Sequence, residues 1–180
     1  MRRRRPVVAF GIGALALVGG FTWLAARAAP ASEIQAPSPL LYKPAPRLAG
    51  PSLWGSGSVS LAAMRGRYVL VNYFASWCST CATEERQLVD LARGSGVRVL
   101  GVDFDDTNGS ARSFLAHFDA HFPVIVDASG QRALRWGVSA PPESFLVSPS
   151  GEVIARIVGP LKAIEVEALV RLAEAKGYGA

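Results

Sequence analysis

Tyr68-Val69-Leu70-Val71-Asn72-Tyr73-Phe74-Ala75-Ser76-Trp77-Cys78-Ser79-Thr80-Cys81-Ala82-Thr83-Glu84 is the stretch that decides how this chain folds. Its first eight residues carry valines and aromatics with a single polar side chain, Asn72, and read as a buried strand. From Ala82 to Arg93, Leu88 and Leu91 recur at helical spacing among Glu84, Glu85, Arg86 and Gln87, which predicts a helix. Between the two lie Cys78 and Cys81, the only two cysteines of the chain. A thiol at a helix N-terminus faces unpaired backbone N–H groups and the positive end of the dipole, and both favour thiolate over thiol. Only the thiolate attacks disulfides, so this position makes Cys78 the reactive sulfur.

Two plainer readings of the cysteines are weaker. A bridge closing so short a loop removes little entropy from the unfolded chain, so a purely structural disulfide here stabilises weakly. His117 and His121 lie four apart and complete a formal zinc set with the cysteines. The separation between the pairs is far beyond that of a short zinc finger. One histidine is expected to be exposed and the other to pack at a helix end. Asp103, Asp105 and Asp106 make an acidic cluster at a strand end, which reads as a loop and not as a hard-cation site.

Four of the formal charges that make the net +5 come from Arg2, Arg3, Arg4 and Arg5, which leaves +1 for the remainder. That excludes a basic nucleic-acid surface. The apolar fraction of 50% and charged fraction of 18% exclude a disordered chain. Residues 7–26 carry no charge, a run of about 20 residues that spans a bilayer as a helix. The arginines before it set a cytoplasmic N-terminus and an outward C-terminal domain. A cleaved signal peptide is the rival reading, because Ala26-Arg27-Ala28 fits a small-x-small cleavage site, but its apolar core is usually only about 7–15 residues. Either way the domain works beyond the membrane, where disulfides persist.

The expected organisation is a basic cytoplasmic tail at 1–6, a transmembrane anchor at 7–26, a proline-rich tether at 27–45 and a folded domain at 46–180. Pro30, Pro37, Pro39, Pro44 and Pro46 make the tether stiff and partly extended. Leu53-Trp54, Gly55-Ser56-Gly57 and Val59 to Leu61 predict a short hairpin. Beyond the cysteines, strands are expected at Val97 to Phe104, Phe122 to Val126, Glu143 to Val147 and Glu152 to Val158. Helices are expected at Ser110 to His121, Gln131 to Trp136 and Leu161 to Lys176, the last with Ile164, Ala168, Leu169 and Leu172 inward. The order is that of an α/β thioredoxin fold with an αβ insertion in its middle. Phosphate loops and nucleotide fingerprints are absent.

Val71 to Glu84 resembles the signature of membrane-tethered thioredoxin-like reductases of the bacterial periplasm, the TlpA/ResA superfamily. Gly137-Val138-Ser139-Ala140-Pro141-Pro142-Glu143-Ser144-Phe145-Leu146 is similar to the Gly-Val-…-Pro-Glu-Thr-Phe-Leu stretch of its DsbE (CcmG) branch, the thiol:disulfide interchange proteins of cytochrome c biogenesis. The resemblance covers about residues 46–176. It implies Cys78 as nucleophile, Cys81 as resolving thiol and Pro142 as a cis-proline facing them. It also implies matching acids at Glu84 and Glu143 and Trp77 as a docking surface. A partly buried Glu84, three residues after Cys81, is placed to take its proton. The insertion at Ser110 to Val126, with Glu84 and Glu143, is expected to narrow and charge the surface around Cys78. Asn72 stands where thioredoxin itself carries a buried aspartate, and Ser79 and Ser144 depart from the usual pattern. No cofactor beyond the redox pair is implied. The implied partners are apocytochrome c or a maturation protein as substrate and a membrane thiol reductase as electron donor. A reductase serving the copper-site thiols of an oxidase and a non-catalytic metal-binding or docking module are the alternatives.

The anchor reading predicts that the mature chain keeps its N-terminus and fractionates with membranes. A mature N-terminus mapped near Ala29 by mass spectrometry contradicts it.

Overall fold

The computed structural model describes residues 33–94 and 96–179. The candidate span at 7–26 lies outside them, and among the described residues no helix is long and apolar enough to cross a membrane.

In chain order the elements are β1 (Glu33–Ile34), β2 (Ala49–Pro51), β3 (Ser58–Ser60), a 3-10 turn (Leu61–Met64), β4 (Tyr68–Phe74), α1 (Cys81–Gly94) and β5 (Val97–Phe104). They continue with α2 (Asn108–His117), β6 (Val124–Asp127), α3 (Gln131–Trp136), β7 (Glu143–Val147), β8 (Val153–Val158) and α4 (Ala163–Ala175). Six strands form one sheet in the order β1-β8-β7-β4-β5-β6, and β2 pairs with β3 in a separate hairpin. β4 pairs parallel with β5 and β5 with β6, whereas β7 runs antiparallel to β4. This is the mixed α/β thioredoxin-like arrangement, with α2 and β6 as the expected insertion.

The central strand explains the two-layer core. All seven residues of β4 are buried, because helices cover both faces of a sheet whose middle strands are parallel. Leu70 and Phe74 point to the side that holds Leu88 and Leu91 of α1 and Val166 and Leu169 of α4. Val69, Val71 and Tyr73 point to the other, with Trp136 of α3, Phe145 and Val153. Asn72 shares the α1 side of the sheet by the two-residue period of a strand. At Gly101 of β5 a Cβ would lie 3.0 Å from Val124 and 3.1 Å from Phe122 and Phe74, so a larger residue would push these side chains back by a few tenths of an ångström.

Three expectations change. The hairpin is present, but its first strand is Ala49–Pro51. Leu53 instead leaves the hairpin to be fully buried and donates its N–H to the Val124 carbonyl. In α4 the inward residues are Val166, Leu169 and Ala173, while Ile164 and Leu172 are exposed, so the helix is rolled from the expected face. Residues 33–45, expected to belong to the tether, are docked. Ile34 pairs with Ile157 across β1 and β8, Ala36 is 1% exposed, and Tyr42 N–H donates to Val153 O while Lys43 O accepts from Val153 N–H. Prolines suit such an edge segment because it must leave one side of its backbone unpaired.

Ala36 and Ala45 also donate their N–H groups to the Arg156 and Gly151 carbonyls. A chain beginning at Pro46 loses these four backbone bonds, each worth about 1 kcal/mol net, together with the burial of Ala36. Denaturant unfolding should show it less stable than a chain beginning at residue 33 by about 2–4 kcal/mol. Equal midpoints and slopes contradict the docking.

Candidate redox site

β4 ends at Phe74 and α1 begins at Cys81, so six residues turn the chain from sheet to helix at the C-terminal edge of the parallel strands. Cys78 N–H donates to the Ala75 carbonyl, which makes the turn tight. Cys78 and Cys81 are joined as a disulfide. The helix starts at Cys81, one turn later than a helix opening at the first cysteine, yet the expected polarity is present. The Cys81 N–H points at Cys78 Sγ from 3.1 Å, and Thr80 Oγ1 lies 3.4 Å from the same sulfur. When the bridge is reduced, these donors and the start of the helix favour a thiolate at Cys78. Cys78 is 6% exposed and Cys81 is fully buried, so attack from outside reaches Cys78 first.

Trp77 is 56% exposed. It is nonetheless held, its indole N–H donating to the Asp105 carbonyl at 3.0 Å and its ring 6.3 Å from that of Phe104. Asp106 accepts the Ser76 N–H at 2.7 Å. The acidic turn after β5 is therefore a splint for the residues that precede Cys78. That role goes beyond a plain loop, and sequence reasoning missed it.

Glu84 lies three residues after Cys81 in α1, on the same face of the helix. It is 1% exposed. Its two oxygens accept from Asn72 Nδ2 and from the Leu161 N–H, both at 2.7 Å. Asn72 also donates to Ser144 Oγ at 2.9 Å, so β4, β7, α1 and the residues just before α4 meet at one buried polar knot. Burial pushes the Glu84 carboxyl up to about 7, although both hydrogen bonds pull it down. At neutral pH such a group both takes and gives a proton.

Pro142 follows a cis Pro141–Pro142 bond, as the resemblance implied. Glu143 opens β7 on the opposite face of the sheet from Glu84, which its pairing with Tyr73 fixes. Glu143 is 1% exposed and ion-paired with Arg156 Nε at 2.6 Å. Glu84 and Glu143 therefore do not charge the surface around Cys78. Both are buried, one raised toward neutrality by burial and the other compensated by an arginine.

Two further acids are buried without a hydrogen-bond partner among the described residues, and neither was anticipated. Glu85, next to Glu84, is fully buried with no hydrogen-bond partner on either oxygen among the described residues, and burial with the nearby Glu84 pushes it up to about 8. Asp103 of β5 is likewise buried and unpartnered, and burial with Asp106 and Asp127 pushes it up to about 7. The helical pattern gave no hint of Glu85, since an acid beside an acid reads as a solvated face.

His117 and His121 are both exposed, contrary to the expectation that one packs. His121 bonds to Asp119, and His117 lies edge-on to Phe118. Among the described residues no group of three or more His, Cys, Asp or Glu side chains is arranged to hold a metal.

With this geometry in place the relatives become informative. The AhpC/TSA family profile matches residues 41–156. The thiol:disulfide interchange protein DsbE of Allochromatium vinosum is 36% identical over 129 residues, 71% of each chain. The chain belongs to the AhpC/TSA family and, within it, to the DsbE-type thiol:disulfide interchange proteins. It is a thiol:disulfide oxidoreductase. A Bacillus cereus thiol-disulfide oxidoreductase ResA is 31% identical over 120 residues, covering 65% of this chain and 69% of its own. Among solved structures, a Chlorobium tepidum protein assigned as DsbE superposes with a TM-score of 0.63 at 32% identity, over 72% of this chain and 94% of that one. The family reading thus rests on both the sequence and the fold.

The buried acids set a pH dependence. A carboxyl whose folded pKa lies above its unfolded value binds protons more tightly when folded, so its contribution to stability falls as pH rises between the two values. For Glu85 that window runs from 4.5 to about 8. Glu85→Gln should therefore be more stable than the unaltered protein at pH 8, and the advantage should shrink toward pH 4.5. Urea unfolding at the two pH values checks this; an advantage independent of pH contradicts it.

Proposed function

We propose that this oxidoreductase is a membrane-anchored periplasmic reductant that keeps the haem-attachment cysteines of apocytochrome c, or of a maturation partner, as thiols. The observation that carries the reading is the placing of a buried carboxyl near neutrality, Glu84, one helical turn after the inner sulfur of a redox disulfide. The DsbE-type relatives support the cytochrome c assignment. The charge-free run at 7–26 behind four arginines supports the anchor.

In the proposed cycle the reduced protein presents the Cys78 thiolate. It attacks one sulfur of the substrate disulfide, forms a mixed disulfide and expels the other sulfur as a thiolate that picks up a proton. Cys81, losing its proton to Glu84, attacks Cys78 Sγ and releases the second substrate thiol. Two electrons pass to the substrate, and the Cys78–Cys81 bridge is left oxidised. A membrane thiol reductase restores the dithiol. In this reading Trp77 and Pro142 flank the approach to Cys78, and Glu143 opens β7 directly after the proline.

An oxidising compartment turns a general dithiol into a disulfide. A reductant persists there when it is tethered near its donor and is a poor partner for oxidases. Cys78, only 6% exposed and directly preceded by the held indole of Trp77, supports that selectivity.

In growing cells Cys78 and Cys81 should be mostly dithiol by alkylation gel shift. Cys78→Ala or Cys81→Ala should lower holo-cytochrome c, with partial rescue by added small thiols. A predominantly disulfide form, with normal haem attachment in the Cys78→Ala strain, contradicts the reading.

A further inference from the structure

The loop 137–143 runs from the end of α3 to the start of β7 and carries the cis-proline. One guanidinium touches both of its ends. Arg156 of β8 donates from Nε to Glu143 Oε1 at 2.6 Å and reaches the Gly137 carbonyl from Nη2 at 3.5 Å. Its third contact is Nη1 to the Pro37 carbonyl at 2.8 Å. The guanidinium carbon lies 5.9 Å from the centroid of the Phe145 ring, on the strand position paired with Arg156 itself. The main chain of the same residue accepts the Ala36 N–H at 2.9 Å. Beyond the guanidinium's reach, the Pro142 carbonyl is held by the Gly159 N–H at 3.0 Å.

We propose that Arg156 is a positioning residue of the redox site, which brackets the cis-proline loop and ties it to the docked segment 33–37. It rests on the reading above in one respect, that Pro142 flanks the disulfide a substrate brings to Cys78. The chemistry of the side chain fits the role. A planar fork with five donors serves three acceptors in fixed directions, whereas an ammonium is a point charge that serves them loosely. Glu143 is 1% exposed, so removing Arg156 alone would leave a buried acid without its ion-pair partner. The bracket makes the N-terminal segment part of the site: Pro37 and Glu143 share one guanidinium, so loosening either loosens the loop.

The consequence falls on extended peptide substrates, which must lie along the loop, more than on a small disulfide that needs only Cys78. The test measures second-order oxidation of the reduced protein by three probes. These are an oxidised Cys-Xaa-Xaa-Cys-His peptide, a scrambled peptide of the same composition with its disulfide, and hydroxyethyl disulfide. In Arg156→Lys the ratio of each peptide rate constant to that of hydroxyethyl disulfide should fall about tenfold, for a displacement smaller than the misplacement of about 1 Å that costs about a hundredfold. The double variant Glu143→Gln/Arg156→Gln removes both buried charges, and so folds without an uncompensated carboxylate, but also loses the bracket; its ratio should fall alike. Ratios within twofold of the unaltered protein in either folded variant, even with lowered stability, overturn the proposal. If the unaltered protein does not prefer the haem-type peptide over the scrambled one, the cytochrome c reading fails instead, and the scrambled peptide still reads the bracket.

Discussion

The N–H of Cys81 aimed at Cys78 Sγ from 3.1 Å sets terms for the rest of the molecule. For that amide to point outward at a sulfur, α1 must begin directly behind the end of β4, and β4 must be fixed in the middle of the sheet. Both faces of β4 are therefore buried, and its parallel partner β5 needs a crossover, which α1 supplies. The two cores on either side of the sheet hold the turn between strand and helix in one place. The turn itself is splinted by Asp106 on Ser76 and by the Asp105 carbonyl on Trp77.

On α1 and β5 the protein retains buried acids with no simple structural benefit. Glu84 is satisfied by Asn72 and Leu161, whereas Glu85 and Asp103 have no hydrogen-bond partner among the described residues. Burying a carboxyl without a partner costs stability whether it is charged or neutral. Burial disfavours the charged form of all three, pushing Glu84 and Asp103 up to about 7 and Glu85 up to about 8. Glu143 follows the other route and remains paired with Arg156. Two solutions to one problem thus occur on opposite faces of the sheet. Only the α1 face has a buried acid one turn after Cys81, the place the proposed cycle needs for a proton acceptor.

Much of this was legible in the chain. The apolar run at Tyr68 to Ala75 and the cysteines behind it imply strand, turn and helix. The strands at Val97–Phe104 and Glu143–Val147 and the helix at Gln131–Trp136 lie where β-branched runs and glycines predict. Pro142 as the cis-proline came from resemblance, since the Pro-Pro pair alone does not choose. What was not legible depends on contacts between distant residues. Arg156 reads as one charge in an otherwise apolar strand until Pro37, Gly137 and Glu143 close around it. Residues 33–45 read as a linker because their partner, the outer edge of β8, lies more than a hundred residues away in sequence. Glu85 and Ile164 were misjudged because helix periodicity specifies a stripe only to within about one residue of rotation.

In the proposed cycle Cys78 meets the substrate and Cys81 releases it. Trapping tests it most directly. With Cys81 replaced by alanine in living cells, the mixed disulfide on Cys78 cannot resolve, so partners should accumulate covalently bound to it and be released by reductant. Mass spectrometry should find apocytochrome c or a maturation protein joined through its own haem-site cysteine. Adducts formed instead through Cys81 in the Cys78→Ala protein, with none on Cys78, would contradict the account.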